Sequence, residues 1–417
     1  MRQAPNATNY QFRLILPYFF IIILDVMSIW IVLPVLAPLV NTSANILGHH
    51  LSDANKHLMY GVILSITGFC LIFAAPLLGY LSDRIGRKKV LIYCACGAFV
   101  SFMIYSFSFS LNSLILLLIA RLVNGVSSGS LVVAQSAMAD ISHGEQRAIN
   151  IAFIAVAMTL GLLFGPLLGG VLSDKTLISW FNNALPFYAG AVLSFICIMM
   201  MFYFLKETSV HRLKQENNYH FAYGMKQLLK NHYVIFVLLS FFFFELAWNL
   251  YVQSIPLFLT KQLHYSNAML GFFLNGVMLV MSIGLLVILR ISLKFMTLHK
   301  IILLGLLINI VAYLAAYFFA GHTGQWLAGI LIALAVATCY PALKAAASNA
   351  FLQQAQGFIM GVSYAILCFA FAISGILSGY LNYKNVKLPF QASVVFCCIG
   401  FIIFVIVMFN RKNSLEK

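Results

Sequence analysis

The sequence predicts an all-α polytopic membrane protein with twelve transmembrane helices in two pseudo-symmetric six-helix bundles. Three observations lead to this fold class. The 417-residue chain is 62% hydrophobic and 8% charged, a composition that would leave a soluble domain with an almost wholly apolar surface. Apolar runs of about 20 residues, long enough to cross a bilayer, recur along the chain. The first six runs also resemble the last six, since an acid lies on the first run of each set, Asp25 and Glu245.

The predicted spans follow one another with short connections. The longest internal polar stretch extends from Lys206 to Asn231 and follows the sixth apolar run. We therefore predict an N-terminal six-helix bundle over 1–205, a cytoplasmic linker over 206–231 and a C-terminal six-helix bundle over 232–417. The apolar runs lie near 15–39, 58–80, 89–110, 112–138, 148–172, 184–205, 233–258, 268–290, 300–320, 324–346, 358–381 and 389–409.

The distribution of Lys and Arg predicts the orientation, because short loops rich in these residues remain in the cytoplasm. With both termini inside, Arg121 falls within a span and most other basic residues fall on the cytoplasmic side. This scatter over loops accounts for the net charge of +15 without a nucleic-acid partner. The opposite loops hold only Lys56, Lys175, Lys261, Lys384 and Lys387.

Two acids are expected deep within the spans. Of the ten acidic residues, only Asp25 on span 1 and Glu245 on span 7 lie far from a predicted span end. An ionised carboxylate at the bilayer centre costs about 2.5–3.5 kcal/mol on insertion scales and normally faces a cavity or a partner. Both acids are therefore candidate proton carriers, or counter-ions for a cationic substrate. The alternative is an acid hydrogen-bonded between helices.

Polar side chains at helical spacing share one face of span 7 with Glu245 and, separately, one face of span 4. They are Asn249 and Gln253 on span 7, and Arg121, Asn124, Ser128 and Gln135 on span 4. On span 4, Arg121 is a candidate for adjusting the protonation of a nearby acid, or for reaching the inner interface. The other polar residues on spans 4 and 7 line a cavity in one interpretation and join helices by hydrogen bonds in the other. The predicted cavity-lining residues are Asn124, Ser128, Gln135, Trp248, Asn249 and Gln253.

A charged turn, GYLSDRIGRKK from Gly79 to Lys89, separates spans 2 and 3. Gly79 and Gly86 allow close approach and tight turning. Asp83 can accept hydrogen bonds from a helix N-terminus, for which we expect span 11, and Arg87 is placed to meet Asp140. We predict a cytoplasmic gate here, whereas the positive-inside rule alone explains only the basic residues.

A glycine-rich motif, GLLFGPLLGG, closes span 5. Gly161, Gly165 and Gly169 are four residues apart, with Gly170 next to the last. This spacing removes side chains from one helix face and favours close packing. Pro166 lacks a backbone donor and can bend the helix, so a hinge is the second interpretation.

These motifs carry a resemblance to a known family. The charged turn resembles the loop between helices 2 and 3 of the major facilitator superfamily. With RLVNGVSSG from Arg121 to Gly129, GLLFGPLLGG and LDVMSIWIVLP from Leu24 to Pro34, the chain is similar to its twelve-helix drug:proton antiporters, and to the tetracycline exporters in particular. The resemblance implies export, although Ser101 and Asn309 stand where those exporters have membrane acids.

From these observations we expect a secondary active transporter that exports a small amphipathic or cationic organic compound in exchange for protons. An importer or facilitator of an organic solute is the alternative. We expect no catalytic residue, metal site or cofactor, because the spans lack a Ser-His, Cys-His or metal-binding constellation. The expected partners are a small-molecule substrate, protons and lipid. The expected state is a monomer in a bacterial inner membrane, crossing it many times.

Overall fold

The computed structural model describes the backbone of residues 7–41, 46, 51–140, 145–205, 207, 221–351 and 356–415. Within these residues, twelve helical segments are long and apolar enough to cross a membrane. The predicted fold class, an all-α polytopic membrane protein with twelve spans, is confirmed.

The first six spans contain two interrupted helices. Span 1 consists of α1 and α2, and span 4 consists of α5 and α6. The bounds are Ala7–Trp30 for α1, Leu33–Asn41 for α2, Asp53–Ile85 for α3, Arg87–Ser110 for α4, Leu114–Ser127 for α5, Ser130–Asp140 for α6, Glu145–Ser173 for α7 and Leu185–Phe204 for α8.

The second half begins with a short helix and continues with six spans. Span 8 comprises α11, a π-helical segment over Gly284–Ile288 and α12. The bounds are Phe221–Lys230 for α9, His232–Leu263 for α10, Asn267–Ile283 for α11, Leu289–Phe295 for α12, Leu298–Phe318 for α13, His322–Asn349 for α14, Gln356–Lys384 for α15 and Leu388–Leu415 for α16.

The interruptions in spans 1 and 4 occur where the sequence weakens helix formation. In span 1, residues 31–32 form a turn before Leu33 and Pro34, and proline cannot donate to the preceding helical turn. In span 4, the turn falls at Ser128 and Gly129, and glycine is a poor helix former. The interruption in span 4 creates a new helix N-terminus at Ser130.

The charged turn between spans 2 and 3 is shorter than the sequence suggested. Helix α3 ends at Ile85 and α4 begins at Arg87, so Gly86 is the one residue outside a helix at this corner. Its φ of 102° lies in the left-handed region, where residues other than glycine are strained. Glycine is therefore required at position 86.

The fold separates into two compact units. Unit 1 comprises Met1–Leu51, Ile66–Glu216 and Tyr265–Asn275, and unit 2 comprises Ser52–Ser65, Asn217–His264 and Gly276–Lys417. Each unit thus contains a short piece from the other half of the sequence.

Glycines allow these short pieces to approach their own unit closely. In unit 1, a Cβ built on Gly170 would lie 2.7 Å from the Cα of Gly271. In unit 2, a Cβ on Gly61 would lie 3.1 Å from the Cα of Gly379. Spans 5 and 8 therefore pack backbone to backbone in unit 1, as do spans 2 and 11 in unit 2.

Candidate functional site

Asp25 lies on α1, which packs against α7 along the glycine-rich motif. A Cβ on Gly161 would lie 2.7 Å from Val26 Cβ and 2.8 Å from the carbonyl oxygen of Ile23. Gly165 and Gly169 have comparably close neighbours on span 1, including Trp30 and Pro34. The spacing of four residues thus lets α7 lie directly against the turn that carries Asp25.

The carboxylate of Asp25 is 3% exposed and accepts a hydrogen bond from the hydroxyl of Ser130. The backbone N–H groups of Ser130 and Leu131 also interact with this carboxylate. Asp25 therefore lies at the N-terminus of α6, where backbone donors are not used by the helix itself. The first half of span 1 and the second half of span 4 meet at this point.

Arg121 lies elsewhere in the same unit. Its side chain is fully buried, and Nη1 donates to the hydroxyl of Thr67 over 3.2 Å. The Tyr105 hydroxyl also interacts with the guanidinium. Arg121 and Asp25, both in the described part of the chain, do not form an ion pair in this conformation.

The remaining polar residues of span 4 have different environments. Asn124 is fully buried, and its side-chain amide has no hydrogen-bond partner among the described residues. The Ser128 hydroxyl donates to the carbonyl of Asn124 over 2.8 Å. Gln135 lies beyond the helix interruption and is exposed, so it does not share the buried face of Arg121 as the helical spacing suggested. The turn at Ser128 and Gly129 breaks that spacing.

Glu245 in unit 2 is buried with an exposure of 3%. Asn249, one turn along α10, donates through Nδ2 to Glu245 Oε2 over 3.1 Å. The ammonium of Lys344 acts on Glu245 electrostatically, while its Nζ lies 3.3 Å from the Tyr340 hydroxyl. Glu245 and its amide neighbour on α10 therefore lie within electrostatic range of an ammonium group on α14.

Trp248 and Gln253 are the other two predicted cavity-lining residues on α10. The Trp248 ring is 7% exposed and lies 6.4 Å from the ring of Tyr251. Gln253 donates through Nε2 to Ser374 Oγ over 2.9 Å and to the carbonyl of Phe371 over 3.2 Å. Its position matches the interhelical interpretation, because both acceptors lie on α15.

At the charged corner, Asp83 Oδ1 and Arg87 Nη2 form an ion pair with a distance of 3.0 Å between these atoms. The two residues are four positions apart in the sequence. The side chain of Asp140, the other predicted gate residue, lies outside the described residues. Gly79 is less crowded than its proposed role in close approach suggests. Among the described residues, a Cβ there would meet only Val132 Cγ1, at 3.7 Å.

Glu207 is the residue that docks against this corner. Its carboxylate accepts hydrogen bonds from the backbone N–H of Arg87 over 2.8 Å and of Lys88 over 3.3 Å. Glu207 therefore caps the N-terminus of α4, where an anion is favoured, and it lies directly against Gly86.

Helix α7 continues through Pro166 to Ser173 without interruption. The Pro166 carbonyl, which a Cβ on Gly271 would approach to 2.6 Å, faces span 8. The two ends of the motif therefore have different neighbours: Gly161 and Gly165 contact span 1, and Gly170 contacts span 8.

Ser101 and Asn309 satisfy part of their hydrogen bonding within their own helices. The Ser101 hydroxyl donates to the carbonyl of Ala98 over 2.7 Å, and Asn309 Nδ2 donates to the carbonyl of Gly305 over 3.0 Å. Both side chains are fully buried.

Ser130 and Glu207 were not among the residues predicted from the sequence. Ser130 adjoins the RLVNGVSSG motif, but in an uninterrupted span 4 its side chain would point in a different direction. Glu207 lies at the start of the polar linker, and a cap 120 positions away from Arg87 has no local signal. A sequence-based search could have used the Ser-Ser-Gly-Ser run as a helix-break signal.

Twelve apolar spans among the described residues, with a carboxylate buried in a span of each unit, define a polytopic membrane protein of the transporter class. A model of the Major Facilitator Superfamily matches residues 18–330 and 237–417. The chain belongs to this superfamily.

The chain is similar to tetracycline resistance proteins. It is 32% identical over 190 residues to the class H protein of Pasteurella multocida, covering 45% of this chain and 43% of that protein. It is 26% identical over 344 residues to the class D protein of Salmonella ordonez, covering 82% of each. The class H match thus spans less than half of that relative.

Solved structures share the fold at low sequence identity. A D-xylose–proton symporter aligns with a TM-score of 0.78 and 14% identity, over 95% of this chain and 97% of the symporter. At this identity the similarity establishes the fold alone.

Proposed function

We propose that this protein is a secondary active transporter that exports a small amphipathic or cationic organic compound in exchange for protons. The observation that carries the proposal is that each unit has a carboxylate buried within a membrane span, Asp25 in unit 1 and Glu245 in unit 2. Buried acids in membrane spans mark proton or substrate sites. The similarity to tetracycline resistance proteins supports export.

Proton entry down the gradient supplies the energy in this proposal. One pH unit provides about 1.4 kcal/mol, and each 100 mV provides about 2.3 kcal/mol per charge. Protonation of Asp25 or Glu245 would remove the negative charge that holds a cationic ligand, and ligand release would follow. With Ser101 and Asn309 in place of further acids, the coupling rests on these two carboxylates.

The proposed orientation is the one that the distribution of basic residues predicts. Both termini would be cytoplasmic in a bacterial inner membrane, with the corner at Gly86 and Arg87 on the inner side. The protein would act as a monomer. The ion pair between Asp83 and Arg87 would belong to a gate that closes this side.

Direction of transport is the first test. A thermal-shift screen with tetracycline and ethidium selects a ligand, and the purified protein is then reconstituted into liposomes with an imposed pH gradient. Export coupled to protons predicts that the ligand moves against the direction of proton flow. Accumulation in the same direction as protons would favour the alternative, an importer, and gradient-independent equilibration would favour a facilitator.

A further inference from the structure

The interruption of span 4 places a helix N-terminus against a buried acid. Helix α6 begins at Ser130 and continues to Asp140, while α5 ends at Ser127. The first backbone N–H groups of a helix have no acceptor within it. Here the N–H groups of Ser130 and Leu131 and the hydroxyl of Ser130 all interact with the Asp25 carboxylate. Without the interruption, these amides would be engaged by carbonyls of the preceding turn.

All three groups are hydrogen-bond donors toward Asp25. An ionised carboxylate offers acceptors only, so this arrangement matches the charged form of Asp25. The positive end of the α6 dipole adds to the attraction. A protonated carboxyl group would need an acceptor for its own proton, and the Ser130 hydroxyl would have to turn to provide one.

We infer that Ser130 is a positioning residue that holds the ionised carboxylate of Asp25 at the start of α6. This inference rests on the proposed function in taking Asp25 as a proton site. Proton uptake then weakens the attachment of α1 to α6. The loss of negative charge at Asp25 is thereby transmitted to the second half of span 4.

Few other titratable groups face Asp25 from the neighbouring helices. The thiols of Cys94 on α4 and Cys197 on α8 interact with it. The described side chains of α6, over 130–138, and of α7, over 153–173, include no acid or base. Arg121 on α5 forms no ion pair with it. The first turn of α6 therefore supplies the strongest local stabilisation of the ionised form.

The test measures protonation directly, without a transported ligand. Infrared difference spectra of the purified protein in lipid nanodiscs record the carbonyl band of protonated buried carboxyl groups as the pH is varied. The Glu245→Gln background removes the acid buried within a span of the other unit, and Asp25→Asn identifies the band of Asp25. Ser130→Ala is compared with Ser28→Ala, because the Ser28 hydroxyl bonds the backbone carbonyl of Asp25 over 2.7 Å and not its carboxylate.

We expect Ser130→Ala to move the midpoint of the Asp25 band toward alkaline pH by about one unit, because one charge-assisted hydrogen bond is lost. Ser28→Ala should leave the midpoint in place, and Ser130→Thr, which keeps the hydroxyl, should restore it. If Ser130→Ala does not fold, Ser130→Cys provides a weaker donor and should shift the midpoint in the same direction.

An unchanged midpoint in folded Ser130→Ala would overturn the inference, as would an equal shift in Ser28→Ala. A different result would reject the proposed function and leave this inference standing. If Asp25→Asn retained proton-coupled flux while Ser130→Ala still shifted the band, the positioning role would stand and the coupling role of Asp25 would be rejected.

Discussion

The carboxylate of Asp174 accepts a 2.9 Å hydrogen bond from the backbone N–H of Ala268, in the first turn of α11. Thr176 donates to the other carboxylate oxygen through its backbone N–H and its hydroxyl. Ser173 and Asn267, next to these residues, are also bonded, with 2.8 Å between Asn267 Nδ2 and Ser173 Oγ. All of these contacts lie inside unit 1, so a short connection following span 5 caps the start of span 8.

The Asp174 cap predicts a pH dependence. Burial opposes ionisation of this carboxylate, but hydrogen bonds from Ser266, Ala268 and Thr176 outweigh it and lower the pKa of Asp174 below its ordinary value. A lowered pKa means that the cap contributes stability at neutral pH and loses it as the pH falls through the folded-state pKa. Thermal unfolding of wild type and Asp174→Asn should differ by on the order of 1 kcal/mol at pH 7.

The difference between wild type and Asp174→Asn should shrink as acidification protonates the wild-type carboxyl, which occurs below the ordinary range of an aspartate because its pKa is lowered. Asp53→Asn is the matched control, because the Asp53 side chain is 88% exposed and its ion pair with Lys56 is long, at 3.9 Å. An effect of Asp174→Asn that grew on acidification would contradict the cap.

Gly86→Ala should destabilise the protein more than Gly79→Ala, although both change a glycine at the same charged corner. Gly86 has a φ of 102° and lies against the Glu207 carboxylate. A left-handed or glycine-only backbone conformation costs a larger residue about 1–3 kcal/mol. Gly79 has room for a methyl group, with Val132 Cγ1 at 3.7 Å from the added carbon. Chemical or thermal unfolding in the same detergent compares the two, and equal losses would argue against strain at Gly86.

Glu207→Ala should weaken the corner without removing any charged residue from the predicted gate. The substitution leaves the N–H groups of Arg87 and Lys88 without the carboxylate that now accepts from them. The expected cost is about 1 kcal/mol, typical of a lost helix N-terminal cap. Hydrogen exchange of the first turn of α4 should accelerate. Unchanged exchange in that turn would mean that the cap contributes nothing to its stability.

Gly161→Ala should displace the helix that carries Asp25. The added carbon would lie 2.7 Å from Val26 Cβ and 2.8 Å from the carbonyl oxygen of Ile23, and overpacking of this kind costs about 1–3 kcal/mol. Gly361→Ala on α15 is the control, since no atom of the described residues lies within 4 Å of its added carbon. We expect lower thermal stability and slower transport for Gly161→Ala alone. Equal behaviour of the two variants would contradict close packing of α7 on α1.

The sequence was sufficient for the spans and for the acids buried within them, Asp25 and Glu245, because apolar length and isolated charge are local signals. The glycine spacing on span 5 also indicated close packing correctly, although it could not identify span 1 as the partner of Gly161. Ser130 was missed because its direction depends on a one-turn interruption at Ser128 and Gly129. Gln135 was misplaced for the same reason, since the helical repeat from Arg121 does not continue past that turn.

The contacts of Glu207 and Asp174 were beyond sequence reasoning for a different reason. Each carboxylate caps a helix that is distant in sequence, 120 positions for Glu207 and Arg87 and 94 for Asp174 and Ala268. An acid in a polar segment carries no indication of which helix N-terminus it will meet. Only the packing of the helices brings the donors to it.

Ligand-driven proton movement tests the central claim most directly. Proteoliposomes with a pH-sensitive dye inside are exposed to the ligand selected by the thermal-shift screen, and proton flux is recorded for wild type, Asp25→Asn, Glu245→Gln, the double variant and Asp53→Asn. We predict coupled flux in wild type and Asp53→Asn. Each single variant, Asp25→Asn or Glu245→Gln, should show a clear loss of coupled flux, and the double variant should show no coupled flux. Coupled flux of wild-type size in the folded double variant would contradict it.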